Sequence, residues 1–376
     1  MAKDKLLFTP GPLTTSRTVK EAMLHDVGSR DDEFIAMVRD IRRQLLELGG
    51  VSQTSGYEAV LVQGSGTFGV ESVLSSAIPA DGKALILVNG AYGERMVQMT
   101  ARYGIATEVL RWAENEVTDP SAVEAKLKAD SSITHVIIVH CETTTGIMNP
   151  VETIGPMVQA AGKTFIVDAM SSFGAIPLNL AEAGVDYLIS SANKCIEGVP
   201  GFSFVLARKS KLDTCKGQAR TLSLDLHAQW AGLEGNGQFR YTPPTHTLLA
   251  FAQALKELAD EGGVKGRGAR YLANHNALKA GMQKLGFIPY LAPEVQSYII
   301  TAFHYPGDAN FHFEEFYRRL SQRGMVIYPG KLGHVDCFRM GNIGRMQPAD
   351  IAALLVALEG VLKEMSVAIP VAKPKR

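Results

Sequence analysis

Ser190-Ser191-Ala192-Asn193-Lys194-Cys195-Ile196-Glu197-Gly198-Val199-Pro200-Gly201 lies between two short apolar runs, Tyr187-Leu188-Ile189 before it and 202–206 after it. Upstream, Phe165-Ile166-Val167 ends directly in Asp168. None of these runs alternates apolar with polar residues. That pattern belongs to strands covered on both faces, as in the sheet of an α/β protein. A lysine and an aspartate are thus each set at the carboxyl end of a buried strand.

The same pattern extends in both directions. Apolar runs recur at 59–62, 84–88, 135–139 and 164–167, separated by helix-like segments at 68–77, 93–103, 123–128 and 154–161. Nearer the N-terminus, Phe34, Val38, Ile41 and Leu45 fall at helical spacing over 33–48. Strands alternating with helices predict an α/β fold, a mostly parallel sheet with helices on both faces, whose ligands bind outside the strands' carboxyl ends. Residues 1–18, with Thr9-Pro10-Gly11-Pro12, read as an extended arm, and 19–262 as a large domain. The glycines and charges of 261–268 mark a boundary. Beyond it, a helix over 268–285, strands at 298–303 and 325–328 and a helix over 348–365 predict a smaller α+β domain at 263–366. Residues 367–376 read as a disordered tail.

Composition narrows the function classes. In 376 residues, 46% hydrophobic, 38 Lys and Arg balance 38 Asp and Glu. A nucleic-acid binder would carry a basic excess or stripe. Cys141, Cys195, Cys215 and Cys337 are scattered, with neither a CxxC pair nor histidines at ligand spacing. They read as reduced thiols of a cytoplasmic protein, and no metal site is expected. Met1-Ala2-Lys3-Asp4-Lys5 lacks the apolar segment of a signal peptide, and no run of about 18 apolar residues suggests a membrane span.

A strand-end lysine and a strand-end aspartate are what pyridoxal phosphate (PLP) requires: an amine to form the Schiff base and a carboxylate to keep the pyridine nitrogen protonated. Gln63-Gly64-Ser65-Gly66-Thr67, before a helix, could cradle a phosphate on free N–H groups and hydroxyls, or be an ordinary strand-to-helix turn. Tyr92, after Val88-Asn89-Gly90-Ala91, could stack on a flat ring or be half-buried packing. In His140-Cys141-Glu142-Thr143-Thr144-Thr145-Gly146, the hydroxyls could meet a ring oxygen or cap the turn, and His140 could be an acid–base group or structural. Asp168 could instead cap the segment at 171–173, with Ser171 and Ser172 beside it. Gln238-Phe239-Arg240-Tyr241-Thr242-Pro243-Pro244-Thr245 is a stiff, hydroxyl-bearing loop. Arg339 precedes a Gly-containing turn and could grip a carboxylate through two hydrogen bonds, or form a surface ion pair.

Together these residues resemble the fold-type I PLP-dependent aminotransferases of class V, along nearly the whole chain. The most specific parts are Asp168-Ala169-Met170-Ser171-Ser172-Phe173-Gly174 and Ser191-Ala192-Asn193-Lys194-Cys195. The resemblance implies a large domain with a seven-stranded type of sheet and a smaller C-terminal domain. It gives Lys194 the cofactor linkage and Asp168 the pyridine nitrogen. Ser65, Gly66, Thr67 and Asn193 fall to the phosphate, Tyr92 to ring stacking and Thr144 to the ring oxygen. Thr242 is implied to reach the cofactor phosphate of a second subunit, making a homodimer; Phe239 stands where relatives often have tyrosine. Arg339 is implied to bind the substrate's acid group, with Arg30 of Gly28-Ser29-Arg30-Asp31 as a second cationic contact. The implied reaction moves the amino group of 2-aminoethylphosphonate to pyruvate, giving phosphonoacetaldehyde and L-alanine. Alternatives on the same fold are alanine–glyoxylate or serine–pyruvate transamination, a cysteine desulfurase, for which Cys337 is the small-domain thiol, and a non-catalytic PLP-fold protein.

Overall fold

Each apolar run named above becomes a strand of one sheet in the computed structural model, which describes residues 4–330, 332–333 and 335–374. The spatial order is Tyr57–Gln63, Phe202–Arg208, Tyr187–Ser191, Thr164–Asp168, His135–Val139, Lys83–Val88 and Ala106–Arg111. Lys83–Val88, Ala106–Arg111, His135–Val139, Thr164–Asp168 and Tyr187–Ser191 pair in parallel, whereas Phe202–Arg208 is antiparallel to both its neighbours. The reason is the length of its link. Residues 192–201 are too few for a helical crossover, which takes about a dozen residues or more. Tyr57–Gln63, antiparallel to Phe202–Arg208 in turn, points the same way as the other five.

Ala106–Arg111 escaped the sequence pattern because it is an edge strand. Its residues are exposed or half-buried, and Glu108 pairs with Lys83 and Lys126 instead of entering the core. The inner strands His135–Val139, Thr164–Asp168 and Tyr187–Ser191 are buried throughout. Helices Gly66–Ala77, Ala91–Arg102, Pro120–Ala129 and Val151–Ala160 follow successive strands and pack around this core.

A second core forms around the antiparallel strands Ile300–His304, Cys337–Gly341 and Tyr328–Pro329, with Phe287, Phe303, Phe311 and Phe316 grouped about Phe338. The strand expected at 325–328 divides in two. Met325–Val326 pairs in parallel with Leu6–Leu7 of the N-terminal arm, and Tyr328–Pro329 pairs with the Arg339 strand. The arm is therefore anchored, with Phe8 wholly buried. The helix expected at 268 begins at Gly263 and runs to Leu285.

The disordered tail expected from 367 is corrected over 367–374. Val367 and Val371 enter the second core, and the Val371 N–H donates to the Leu285 carbonyl at 2.7 Å. Their apolar side chains gain more from burial than the chain end loses in freedom. The last two residues of that expectation lie outside the described residues.

Candidate active site

The parallel strands end level with one another: Val139 pairs with Asp168, and Asp168 with Ile189. Just beyond those ends is a cavity of about 650 Å³, counted with the solvent-open space at its mouth. Its wall includes Ser65, Gly66 and Thr67 from the first turn, Tyr92 from the second, and Thr143, Asp168, Asn193 and Lys194. Residues spread over the sequence converge because each follows a strand of the same direction.

Lys194 and Asp168 line the same cavity and interact electrostatically. Lys194 Nζ donates to the Pro10 carbonyl at 2.6 Å, so the N-terminal arm forms part of the wall. The amine keeps some surface on the cavity, yet the surrounding protein pushes it down to about 8, opposed by the Asp168 charge and reinforced by Arg339. Gly11 holds the arm there at φ +117°, where a β-carbon would stand 2.9 Å from Lys194 Cδ and 3.0 Å from the Asn193 carbonyl oxygen.

Asp168 is 5% exposed. Burial pushes its carboxyl up to about 6, against the Met170 N–H, which donates to Oδ1 at 2.9 Å, and the charges of Lys194 and Arg95. Asp168 thus both caps the following turn and faces the cavity; the two sequence readings are compatible. Ser171 and Ser172 do not bond it. The Ser171 hydroxyl pairs with that of Thr143 at 2.6 Å, and Ser172 reaches the Ala169 carbonyl.

Ser65 is the N-cap of the Gly66–Ala77 helix, and its hydroxyl makes no capping bond. The helix's first N–H groups and that hydroxyl face an anion-sized space. Thr67 Oγ1 accepts from Arg95, whose guanidinium lies 4.8 Å over the Tyr92 ring. A β-carbon on Gly66 would run into the Met170 thioether.

One sequence expectation is corrected here. Thr144 does not line the cavity. It is fully buried, donating from Oγ1 to Glu142 at 2.7 Å and accepting from the Ala91 N–H at 3.0 Å. The threonine that lines the cavity is Thr143. Thr242, expected to act in a second subunit, and Arg30 are not among the residues that line the cavity of their own chain. Both lie on an exposed groove elsewhere, with Ser29 and Phe239 beside them, where Gln63 binds the Tyr241 and Thr242 carbonyls.

Arg339 is 1% exposed. Its Nε donates to the Pro329 carbonyl at 3.0 Å and Nη1 to the Thr143 carbonyl at 2.9 Å, placing it one residue behind the cavity wall. His140 is buried outside the lining residues, and burial holds its imidazole down at about 4. Cys337 is buried and burial pushes its thiol up, the reverse of a mobile nucleophile. Arg95, Met170 and the Pro10-Gly11 contact were missed by sequence reading, whereas Thr143 belonged to the hydroxyl cluster that was read but was not the member chosen. Only Pro10-Gly11-Pro12 carried a signal, as a rigid, glycine-bearing turn. Among the described residues, no helix is long and apolar enough to cross a membrane.

The chain belongs to the class-V aminotransferases, the family whose model matches residues 16–336. It is an enzyme of a PLP-dependent family of transaminases with small-molecule substrates. The 2-aminoethylphosphonate–pyruvate transaminase of Salmonella paratyphi B is 56% identical to it over 359 residues, 95% of this chain and 97% of that one. In fold it matches ureidoglycine–glyoxylate aminotransferase of Bacillus subtilis (TM-score 0.90, 24% identity, 98% and 95% of the two chains). It also matches pyridoxamine–pyruvate aminotransferase of Mesorhizobium loti (TM-score 0.88, 24% identity, 98% and 94%).

Proposed function

We propose that this aminotransferase uses PLP to move the amino group of 2-aminoethylphosphonate to pyruvate, releasing phosphonoacetaldehyde and L-alanine. The observation that carries the choice of donor is 56% identity to a relative of that name across almost the full length of both chains. The residues present fit the cofactor. A buried carboxylate whose burial disfavours its charge suits a protonated ring nitrogen, and a helix N-terminus with an uncommitted N-cap hydroxyl suits a phosphate. When bound, PLP supplies a ring that accepts the electrons freed as the donor's C–H bond breaks.

The chain's own residues do the rest. Asp168 holds the proton on the ring nitrogen. Lys194 Nζ, neutral in a good fraction of molecules near pH 8, takes the proton from the substrate carbon and returns it on the other side of the transfer. Ser65, Gly66, Thr67 and Asn193 bind the phosphate, Tyr92 covers the ring, and Thr143, in place of Thr144, serves the ring oxygen. Arg339 is assigned the acid group of either substrate on the family resemblance; it stands one residue behind the cavity wall with its plane fixed by two backbone carbonyls, so the acid group would have to displace part of that wall to meet it. Thr242 and Arg30 serve the cavity of a second copy in a homodimer, a reading supported by their shared groove away from their own Lys194.

Donor profiling tests the reaction. With pyruvate as acceptor, 2-aminoethylphosphonate yields L-alanine, and Lys194→Ala lowers the rate by roughly 10²-fold or more. Turnover of serine or of alanine with glyoxylate, without any of the phosphonate, would reassign the donor.

A further inference from the structure

The turn bearing Lys194 is held from behind by buried charged groups to which the proposed chemistry gives no part. The Glu197 N–H donates to the Lys194 carbonyl at 2.8 Å and the Gly198 N–H to the Ala192 carbonyl at 2.9 Å, closing the turn. Glu197 adopts φ +67°, the left-handed region that a β-carbon disfavours, so its surroundings must impose that conformation.

Those surroundings come from the Gly263–Leu285 helix. Glu197 Oε1 accepts from the Tyr271 hydroxyl at 2.6 Å and from Arg270 Nη2 at 2.7 Å. Arg267 Nη1 donates to the Cys195 carbonyl, next to Lys194, at 2.6 Å, and the Tyr271 oxygen lies 3.3 Å from the same carbonyl. Glu261 accepts from Nε of both arginines at 2.6 Å, so two cations meet two anions. Arg267 and Tyr271 have no exposure and Glu197 has 1%. On its other side the cluster grips the loop that follows the Arg339 strand. Arg270 Nη1 donates to the Gly344 and Met346 carbonyls at 2.7 and 3.0 Å, and the Gly344 N–H donates to the Tyr271 oxygen at 3.1 Å.

A buried ionic cluster often contributes no more stability than apolar side chains of the same volume, and in some proteins it is kept for the geometry it specifies. We propose that Arg267, Arg270, Tyr271 and Glu197 are positioning residues for amino transfer, setting the Lys194 turn against the strand that carries Arg339. This rests on the reading of Lys194 as the reacting amine.

The test uses PLP-loaded Tyr271→Phe and Arg267→Lys. Tyr298→Phe is the control, because Tyr298 packs against the same core cluster but its hydroxyl donates to the Ala175 carbonyl, outside the turn. Three quantities are read: the pH midpoint of the absorbance of the lysine-linked cofactor, kcat with KM, and the urea midpoint. Asp168, Arg339, Cys141 and Cys195 are the charged and titratable groups acting on Lys194, and none is altered. The positioning variants should shift the absorbance midpoint by about half a pH unit or more. Their kcat should fall roughly ten- to a hundredfold while KM for pyruvate stays within about twofold. The control should change only the urea midpoint. Variants that lose stability yet keep the wild-type absorbance midpoint and kcat would overturn the proposal. Should Tyr271→Phe not fold, the same readouts in Glu197→Gln decide it. A wild-type protein without the absorbance would refute the underlying reading of Lys194 instead.

Discussion

Asp168 illustrates how a single residue can be set against stability by its site. Its carboxyl binds a proton more tightly in the folded protein, near 6, than in an unfolded chain near 3.8. Between those values the folded state holds more protons, so this group makes stability fall as pH rises from about 4 through 6. The loss is about 3 kcal/mol once complete, for a side chain so deeply buried. Cofactor-free Asp168→Asn escapes that loss while an amide oxygen can still accept from the Met170 N–H. Thermal melts of the cofactor-free proteins should place the variant above wild type at pH 8, with the gap closing toward pH 4. Parallel curves across this range would contradict the argument. Both Asp168 and Lys194 were legible in the sequence: Asp168 directly ends an apolar run, and Lys194 lies in the short segment between two such runs. Thr143 was not, since only the turn's folded path decides which of three adjacent threonines faces inward.

At the scale of elements, the second helix after the sheet's edge depends on a carboxylate from another strand end. Glu142, wholly buried, lies at the N-terminus of Ala91–Arg102, accepting from the Gly93 N–H at 3.3 Å and the Thr144 hydroxyl at 2.7 Å. A β-carbon on the N-cap, Gly90, would collide with its side chain. Burial pushes this carboxyl up, while the donors and the helix dipole favour its charge. Glu142→Ala should lower unfolding free energy by about 1–3 kcal/mol, since it leaves buried donors unmatched. Glu142→Gln should recover much of that, as urea titration would show. A loss as large in Glu142→Gln would mean that packing, rather than acceptance, is what matters. The inner strands announced themselves by unbroken apolar runs. Ala106–Arg111 did not, because an edge strand need not hide both faces.

Across the whole molecule, the groove holding Arg30 and Thr242 raises the question of where those residues act. If each serves a second copy, Lys194→Ala and Thr242→Ala impair different halves of one composite site. After the two variants are mixed and allowed to exchange subunits, hybrid dimers should contain one intact site each. Activity should then recover to about a quarter of wild type for random pairing. Mixtures no more active than the separate variants would confine Thr242 to its own chain.

The sequence alone determined the sheet's inner strands, the strand-end placement of Lys194 and Asp168 and the glycine-rich first turn. These depend on local apolar pattern and on backbone chemistry that each segment carries with it. The tertiary structure decided what depends on distant segments meeting. It brought Pro10 against Lys194, turned Thr143 inward, buried Arg339 behind the cavity wall and drew Val367 and Val371 into the second core. It also assembled the Arg267–Glu197 cluster from a helix and a turn far apart in the chain. No residue in either segment signals the other, because their complementary charges are brought together only by packing.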